Sequence, residues 1–348
     1  MSQPWVLVTG ASGFIGSRLI GALLERGERV KAFVHPGGDL RVLQGLACPE
    51  LQLAFGDVAV EHTVYRALAG CDRAYHIAMA HPFRSRSAAD IFEPIVQGTR
   101  SVLEAARRRG LRRVVATSSA LALGTQERPQ PMDERHPFEL DDPETYVAAR
   151  RAAYEETLAA AATGQPLVAL LPSLVIGPGD SRPTLGGHAL LSMIVLGSRI
   201  PVIPGGINLV DVDDVVQGHL LAMERGRLGE SYILGGDDIT YDQLLSAVAD
   251  VTGVPHSHVQ VSRRLGVLAA AAQEWMARLQ HGAPIVTRRM ARHLSGRYFW
   301  VSSAKAQLEL GYRHRPVRES LSRAIHYFHE SGQIPHPLSG RLRLLPTG

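Results

Sequence analysis

Lysine and cysteine are scarce in this 348-residue chain. Lys31 and Lys305 are the only lysines among 37 basic residues, so arginine is the default cation wherever a lysine would be expected. The two cysteines, Cys48 and Cys71, have neither metal-ligand spacing nor a secreted context. We therefore expect two free thiols, and no metal site is predicted.

The sequence also lacks the patterns of a leader and of a membrane span. An apolar strand begins at about Trp5, where a leader would show a basic region followed by an apolar one. The longest uncharged run, residues 157–179, is interrupted by Gly164-Gln165-Pro166 and is too short on either side to cross a bilayer. With 45% hydrophobic and 20% charged residues, the composition is typical of a globular protein, and we expect a cytoplasmic one.

Charge gives little sign of a nucleic-acid partner. The net charge is +4, and the densest basic cluster, residues 107–113, lies at the end of a predicted helix, where cations complement the helix dipole and face solvent. No aromatic side chains alternate with these arginines, and no known nucleic-acid motif accompanies them. We therefore expect a small-molecule partner and no nucleic acid.

The most informative stretch is residues 6–16, in which an apolar strand leads into a glycine-rich turn and then into an amphipathic helix. Gly10 can form the tight turn, Gly13 leaves room for a pyrophosphate against the backbone, and Gly16 lets the helix pack closely on the sheet. The start of the helix adds N–H groups and the positive end of its dipole. This pattern predicts a dinucleotide site; the alternative is a glycine-rich turn without a ligand.

The next predicted strand, residues 30–34, ends without the carboxylate that usually holds the ribose hydroxyls of NAD. It ends in His35, with Arg41 further on, and the first acid is Asp39. Because no acid at the strand end repels a 2′-phosphate, NADP(H) is favoured as the cofactor and NAD(H) stays admissible.

Strands and helices alternate along the chain. This alternation predicts an α/β fold, with a Rossmann-type doubly wound parallel sheet and a smaller, mostly helical C-terminal substrate lobe. We assign residues 1–172, with about 207–228, to the dinucleotide-binding domain. Residues 173–206 and about 229–330 form the predicted substrate lobe, and residues 331–348 a loosely ordered tail.

Seven motifs together resemble the extended short-chain dehydrogenase/reductase superfamily, in its NAD-dependent epimerase/dehydratase group. They are Thr9-Gly10-x-x-Gly13-x-x-Gly16, Gly56-Asp57-Val58, His76-Ile77-Ala78, Thr117-Ser118-Ser119, Tyr146 after a proline-rich loop, Pro172-Ser173 and Val212-Asp213-Asp214-Val215. Residues 209–239 and 303–312 are most similar to the dihydroflavonol-4-reductase-like branch and the hopanoid-associated sugar epimerases. The resemblance covers most of residues 5–330.

The resemblance implies that a serine, a tyrosine and a lysine act together on a carbonyl or carbinol beside the nicotinamide. Ser119 matches the serine that binds the substrate oxygen, and Tyr146 matches the tyrosine that moves the proton. With the glycine turn and the strand ends included, the predicted cofactor contacts are Gly10, Ser12, Gly13, Phe14, Ile15, Gly16, His35, Asp57, Val58, Ala78, Met79, Ala80, Thr117, Tyr146, Arg150, Pro172 and Ser173.

Arg150 stands one helical turn after Tyr146, where the family has lysine. In the family, that lysine binds the nicotinamide ribose, and its charge favours the ionised tyrosine. Arginine keeps the charge, but its guanidinium is longer, planar and does not readily give up a proton. Three interpretations stay open: a working substitute in an arginine-rich chain, altered chemistry, or dinucleotide binding without turnover.

The predicted substrate pocket is apolar or weakly polar, which suits a flat or greasy carbonyl compound. The residues assigned to it are His81, Phe83, Ser119, Leu174, Ile176 and His188. Asp211 stands where relatives have histidine or tyrosine, and we expect it to cap the next helix rather than to act in catalysis.

We therefore predict an NAD(P)H-dependent reductase of a ketone in a small, hydrophobic metabolite, with hydride from the nicotinamide and Tyr146 as the proton donor. The alternatives are a sugar-nucleotide epimerase or dehydratase that recycles NAD, and a non-catalytic dinucleotide sensor or scaffold. The family resemblance also implies a homodimer through the helix that carries Tyr146 and the long helix before it, where alanines at 148, 152 and 159–162 permit close packing.

Overall fold

A computed structural model describes residues 3–78, 89–141, 143–196, 200–202, 204–254, 258–262, 264–266, 268, 271–272, 296–335, 340 and 342–344. Its strands are β1 (Trp5–Thr9), β2 (Arg29–Val34), β3 (Leu51–Phe55), β4 (Cys71–His76), β5 (Arg113–Thr117), β6 (Leu167–Pro172), β7 (Leu174–Ile176), β8 (Ile200–Val202), β9 (Gly205–Asp211), β10 (Ser231–Leu234), β11 (Asp237–Thr240), β12 (His258–Gln260) and β13 (Arg297–Phe299).

The helices are α1 (Phe14–Glu25), α2 (Arg41–Gln44), α3 (Glu61–Ala67), α4 (Ala89–Arg109), α5 (Thr145–Ala162), α6 (Leu185–Leu196), α7 (Val212–Arg225), α8 (Tyr241–Thr252), α9 (Ala304–Leu310) and α10 (Val317–Glu330). A 3-10 turn (Ala120–Leu123) lies between β5 and α5. Among the helices of the described residues, none has both the length and the apolar character needed to cross a bilayer.

Seven strands form one parallel sheet in the order β10-β6-β5-β4-β1-β2-β3. Strands that are covered on both faces are continuously apolar, and residues 6–8 of the central strand β1 are fully buried. Val8 joins the core under α1 and α7, whereas Leu7 joins the core under α3 and α4. The Rossmann-type sheet that the sequence predicts is confirmed.

The strand order reverses between β1 and β4. From β1 the chain passes through β2 to β3 at one edge and then returns, so that β4 pairs with the other side of β1. Ligands of open α/β sheets bind in the crevice that such a reversal opens at the carboxyl ends of the strands. The glycine turn after β1 and the residues after β4 therefore meet where the dinucleotide site is predicted.

The long helix α4 packs along α5 on one face of this sheet. Ile91 and Ile95 of α4 form a small apolar cluster with Ala149 and Ala153 of α5, and Tyr146 packs against it. Because alanine lets two helices approach closely, these alanines act in packing within the chain. The contact holds the first turn of α5 against α4.

A second, four-stranded sheet forms the smaller lobe together with α6, α8 and α10. In it β9 lies between β11 and β13, and β7 pairs with β9. The core of the lobe joins Leu209 and Ile239 of the sheet to Val248 of α8 and Phe328 of α10. The lobe thus contains a sheet as well as the helices that the sequence predicts.

Two strands lie in a different sheet from the one that the predicted domain boundaries give them. The sequence places residues 231–234 in the substrate lobe, but β10 pairs with β6 at the edge of the large sheet. It places residues 207–211 in the dinucleotide-binding domain, but they belong to β9 of the small sheet. In the predicted tail, Ile334 is buried and the N–H of Arg343 donates to Thr252 O, so these residues are packed. A short strand carries no local signal of the sheet that it joins.

Candidate active site

The glycine turn has the close contacts that its spacing predicts. Gly10 adopts a φ of +68°, and a Cβ on it would lie 2.8 Å from the backbone nitrogen of Ala78. A Cβ on Gly16 would lie 2.1 Å from Gly10 O, so a larger residue would displace the start of α1. The N–H of Gly13 donates to Gly10 O at 2.9 Å, and Gly13 is the N-cap of α1.

The first turn of α1 presents N–H groups to the crevice. The first hydrogen bond of the helix runs from Ser17 N to Gly13 O, at 3.0 Å. The N–H groups of Phe14, Ile15 and Gly16 precede it and, as at every helix start, have no acceptor within the helix. Since the first turn contains no acid, the positive end of α1 suits an anion such as a pyrophosphate.

Thr9 and His76 form a buried polar network directly beneath this turn. Thr9 Oγ1 accepts the N–H groups of Ile77 and Ala78, at 3.1 and 3.2 Å. With both lone pairs of the hydroxyl occupied, its proton is donated to His76 Nδ1, at 2.9 Å. The network therefore ties the end of β1 to the end of β4 under the dinucleotide site.

His76 is held in its neutral form, and the network assigns its tautomer. Because Nδ1 accepts from Thr9, the ring proton is on Nε2, which donates to Thr99 Oγ1 at 3.3 Å; Thr99 in turn donates to Ile95 O at 2.9 Å. Burial, reinforced by the positive charge of Arg150, lowers the pKa of His76 to about 4. The ring is thus a fixed link between the glycine turn and α4.

His35 is the first residue after β2, and the first acid after that strand, Asp39, is already in ion pairs. His35 is exposed, and its Nε2 lies 4.0 Å from Asp57 Oδ2. Asp57 Oδ1 accepts an N–H of its own turn at 2.9 Å. Asp39 forms ion pairs with Arg41 and Arg182, at 2.6 and 3.1 Å. The acid after β2 therefore has two cations beside it, Arg41 from the following helix and Arg182 from a remote segment, whereas an NAD site offers a free carboxylate.

Tyr146 and Arg150 lie together on the first two turns of α5. The helix starts after Glu144 because that residue is its N-cap, with Oε2 accepting the N–H of Tyr146 at 2.8 Å. One turn later, Arg150 Nε and Nη2 both donate to Tyr146 Oη, each at 3.1 Å. Ser118 Oγ donates to the backbone carbonyl of Arg150 at 3.2 Å, which fixes this turn against β5.

Arg150 is only 3% exposed. Within the described part of the chain, no carboxylate lies within ion-pair distance of its guanidinium, and the phenol oxygen of Tyr146 is its hydrogen-bond acceptor. A buried cation without an anionic partner is costly. By contrast, the neighbouring Arg151 pairs with Glu155 at 2.7 Å on a different face of the helix.

Ser119 follows β5 and lies at the start of the 3-10 turn. Its Oγ accepts the N–H of Leu121 at 3.2 Å, which leaves the hydroxyl proton available to a ligand. The adjacent Thr117 is engaged elsewhere, because its Oγ1 donates to His219 Nε2 at 2.8 Å. His219 Nδ1 donates to Val215 O at 2.8 Å, and burial lowers the pKa of His219 to about 4. The Thr117 hydroxyl is therefore bound to α7.

Ser173 stands just after Pro172, the last residue of β6. Its N–H donates to Leu234 O at 3.1 Å, but its buried Oγ has no hydrogen-bond partner among the described residues. Buried hydroxyls are normally paired. An unpaired hydroxyl at the carboxyl end of a strand, where ligands bind, fits a polar group of a cofactor.

The remaining predicted contacts are spread around this crevice. Val58 lies against Gly98 of α4, Ser12 against Gly38 of the loop after β2, and Leu174 is half-buried on β7. His188 is exposed on α6, whereas Ile176 is 2% exposed and packs in the core of the smaller lobe, where it has a packing role. The predicted contacts outside the described residues are Met79, Ala80, His81 and Phe83.

Asp211 caps α7, as the sequence predicts. Its Oδ1 accepts the N–H of Asp213 at 2.8 Å, and its Oδ2 pairs with Arg323 of α10 at 2.7 Å. Burial raises the pKa of this carboxyl. The cap therefore links the two lobes.

Ser118 and His76, to which the sequence pattern gave no role, are part of this arrangement, and so is Arg182, which the sequence offers only as a possible contact for a diphosphate. Ser118 and His76 stand inside motifs at strand ends, so their position was a usable signal. Arg182 meets Asp39 only through the tertiary fold, and no local pattern indicates that contact.

The comparisons with known proteins agree with this geometry. Residues 6–235 match the model of the NAD dependent epimerase/dehydratase family. The chain is 33% identical to sterol demethylase protein B of Methylococcus capsulatus, over 94% of the chain and 99% of that protein. It is 30% identical to dihydroflavonol 4-reductase of Callistephus chinensis, over 70% of the chain and 71% of that protein.

A solved structure is similar over almost the whole length. The crystal structure of gox2253 superposes with a TM-score of 0.82 at 33% identity, and the match covers 96% of this chain and 100% of that one. One assignment follows from the glycine turn at the strand-order reversal, the Tyr146–Arg150 pair and these matches. The chain belongs to the NAD-dependent epimerase/dehydratase family of extended short-chain dehydrogenases/reductases, and is an NAD(P)-dependent oxidoreductase.

Proposed function

We propose that this oxidoreductase uses NADPH to reduce a ketone in a small, hydrophobic metabolite. The observation that carries the proposal is the pair of half-buried Tyr146 and buried Arg150, in which two guanidinium N–H groups reach one phenol oxygen. A guanidinium in that position stabilises the negative charge that Tyr146 acquires when it gives up its proton. Arg150 is thus a working substitute for the lysine of the family.

The side chains around the pair suit the reduction of a carbonyl group. The reduced nicotinamide supplies the hydride to the carbonyl carbon when the cofactor is bound. The Ser119 hydroxyl donates to the carbonyl oxygen and orients it. Because Tyr146 Oη accepts twice from Arg150, its proton is directed away from Arg150, and it is this proton that Tyr146 transfers to the oxygen. The phenolate that remains beside Arg150 regains a proton from solvent.

The chain's own groups fit NADPH at four places. The glycine turn and the start of α1 would hold the pyrophosphate, since the N–H groups of the first turn have no acceptor within the helix and that turn contains no acid. The unpaired Ser173 Oγ would bind the nicotinamide amide. Arg150 Nη1, the guanidinium nitrogen that does not contact Tyr146, would reach the nicotinamide ribose. The cationic loop after β2 would take the 2′-phosphate, so NADPH is preferred to NADH.

An apolar substrate follows from the lining and from the relatives. Of the predicted substrate contacts at the crevice, Ser119 and the half-buried Leu174 are uncharged. Two relatives of this chain are named for a sterol and a dihydroflavonol rather than for a sugar nucleotide. We therefore infer a ketone on an apolar framework.

The test is to follow nicotinamide absorbance with a panel of apolar cyclic and alkyl ketones. Tyr146→Phe should lower kcat by about 100-fold or more, the range that general acid catalysis supplies, whereas Arg150→Lys should keep most of the activity. Tyr154→Phe is the matched control, because Tyr154 lies on the same helix and binds Ser231 Oγ at 2.8 Å, outside the catalytic pair. Full turnover by Tyr146→Phe would refute the proposed role.

Mass analysis of the purified protein separates this reaction from the alternatives. A reductase exchanges its cofactor, so the protein should be isolated largely free of dinucleotide. An epimerase or dehydratase would retain NAD through purification. A sensor would bind NADPH without turnover of any ketone, and Arg150→Lys would not change that result.

A further inference from the structure

The carboxylate of Asp39 pairs with two arginines that come from different lobes. Arg41 donates its backbone N–H and its Nε to Asp39 Oδ1, both at 3.0 Å, and its Nη2 to Oδ2, at 2.6 Å. Arg182 Nη2 approaches the same Oδ2 at 3.1 Å. Three donors of Arg41 hydrogen-bond this carboxylate, and Arg182 stands within ion-pair distance of it. Asp39 is therefore already engaged by two cations, where an NAD site offers a free carboxylate to the ribose.

This cluster lies beside the glycine turn. A Cβ on Gly38, the residue before Asp39, would lie 3.1 Å from Ser12 Oγ of the turn. The end of β2 is where a dinucleotide of this fold places its adenosine ribose. Asp57, whose Oδ2 lies 4.0 Å from His35 Nε2, bonds to its own turn. The two arginines are therefore the cations near the end of β2 that a phosphate on this ribose could meet.

Each arginine keeps donors for a ligand. The Arg41 side chain is 83% exposed and that of Arg182 is 40% exposed, whereas the Asp39 side chain between them is 16% exposed. A guanidinium carries five N–H donors in a fixed fork that matches phosphate oxygens. Two guanidinium groups on one carboxylate leave one net positive charge, held in a fixed position.

Arg182 lies on the segment that joins β7 to α6, and a second contact holds that segment to the dinucleotide-binding domain. Arg18 of α1 donates its Nη1 to Pro178 O at 3.3 Å and its Nε to Asp213 at 2.6 Å. Residues 178–182 thus extend from α1 to the loop after β2. A ligand that binds Arg182 therefore acts on the segment that leads into α6 of the substrate lobe.

We propose that Arg182 of the smaller lobe and Arg41 together bind the 2′-phosphate of NADP(H), with Asp39 orienting both guanidinium groups. This deepens the proposed function and rests on its preference for NADPH. The phosphate then bridges the two lobes, so that cofactor selectivity and the position of the substrate lobe are set by one contact. In this arrangement Asp39 is a positioning residue, and a ribose hydroxyl does not bind it.

The test uses two probes that differ only in the phosphate, AMP and 2′-phosphoadenosine 5′-phosphate, titrated calorimetrically into the full chain. Wild type should bind the bisphosphate more tightly than AMP. Arg182→Gln and Arg41→Gln should each lower this ratio about tenfold, because a charge-assisted hydrogen bond is lost. Asp39→Asn should lower it less. Arg100→Gln is the matched control, since Arg100 forms an exposed ion pair with Glu156, and it should leave the ratio unchanged.

A wild-type ratio in Arg182→Gln would overturn the proposal and reduce the Arg182–Asp39 contact to an ion pair between lobes. A wild type that binds both probes equally would overturn it as well, together with the NADPH preference. The binding assay is independent of the reaction. If no ketone is reduced but the ratio falls in both variants, the phosphate site is supported and the proposed reaction is refuted.

Discussion

The glycine turn and the Tyr146–Arg150 pair are the two halves of one site, but they are built in opposite ways. The turn depends on missing atoms: a Cβ on Gly16 would lie 2.1 Å from a backbone oxygen. The pair depends on an added charge, held at 3% exposure by a phenol oxygen and by packing. Shape determines the first half and electrostatics the second.

This difference decides what each half tolerates. A backbone clash cannot be relieved without moving α1, so the turn has one acceptable residue at Gly16. A positive charge can be supplied by lysine or by arginine. Replacing one with the other at position 150 changes the geometry and the proton transfer but keeps the sign of the charge. In the proposed function, the turn therefore binds the cofactor, and the pair determines whether binding leads to reaction.

The largest effect is expected from Gly16→Ala. The added Cβ meets Gly10 O and Ala11 Cα, both of which belong to the turn itself. We expect the free energy of unfolding to fall by about 3 kcal/mol, and NADPH binding to be lost because the first turn of α1 no longer faces the phosphates. Urea unfolding and calorimetric titration measure the two effects.

Gly21→Ala on the same helix is the matched control. The nearest atom to its Cβ is Leu46 Cδ2 at 3.8 Å, an ordinary contact. This variant should be more stable than wild type by about 0.5–1 kcal/mol, since alanine is the better helix former. If both alanines had the same effect, the steric account of the turn would be wrong.

The same contrast explains what the sequence could predict. The turn follows from glycine spacing and a strand–helix pattern, all within residues 6–16, and Tyr146 and Arg150 share a face because they are one helical turn apart. The contact of Arg182 with Asp39, the membership of β10 in the large sheet and the packing of Ile334 all depend on partners remote in the sequence. Periodicity within one segment carries no information about such partners.

His76 lies between the two halves and gives the next effect in size. Its pKa in the folded chain is about 4, against 6.5 for an ordinary histidine. Between these values the unfolded chain binds a proton that the folded chain does not, so stability falls as pH falls. From pH 7 to pH 5 this costs about 2 kcal/mol. Denaturant titrations at a series of pH values measure it.

His76→Gln, which does not titrate, should remove this contribution. His219, whose pKa burial also lowers to about 4, keeps a similar contribution in both proteins, so the difference from wild type isolates His76. Asp180 has the opposite effect on the pH dependence. Burial raises its pKa from 3.8 to about 6, so its contribution to the free energy of unfolding is lost as pH rises through 6. Because Asp180 is present in both proteins, it cancels in the difference. A variant curve parallel to that of wild type would show that His76 takes up its proton without unfolding.

The smallest effect, of opposite sign, is expected from Arg150→Met. Methionine fills similar space without a charge, and the described residues hold no carboxylate that would be left unpaired. The free energy of unfolding should therefore rise by about 1 kcal/mol while ketone reduction falls to the level of Tyr146→Phe. Gly16→Ala loses stability and binding together, whereas Arg150→Met separates stability from activity. If Arg150→Met instead lost stability, the guanidinium would be part of the fold, and its contact with Tyr146 would no longer be evidence of catalysis.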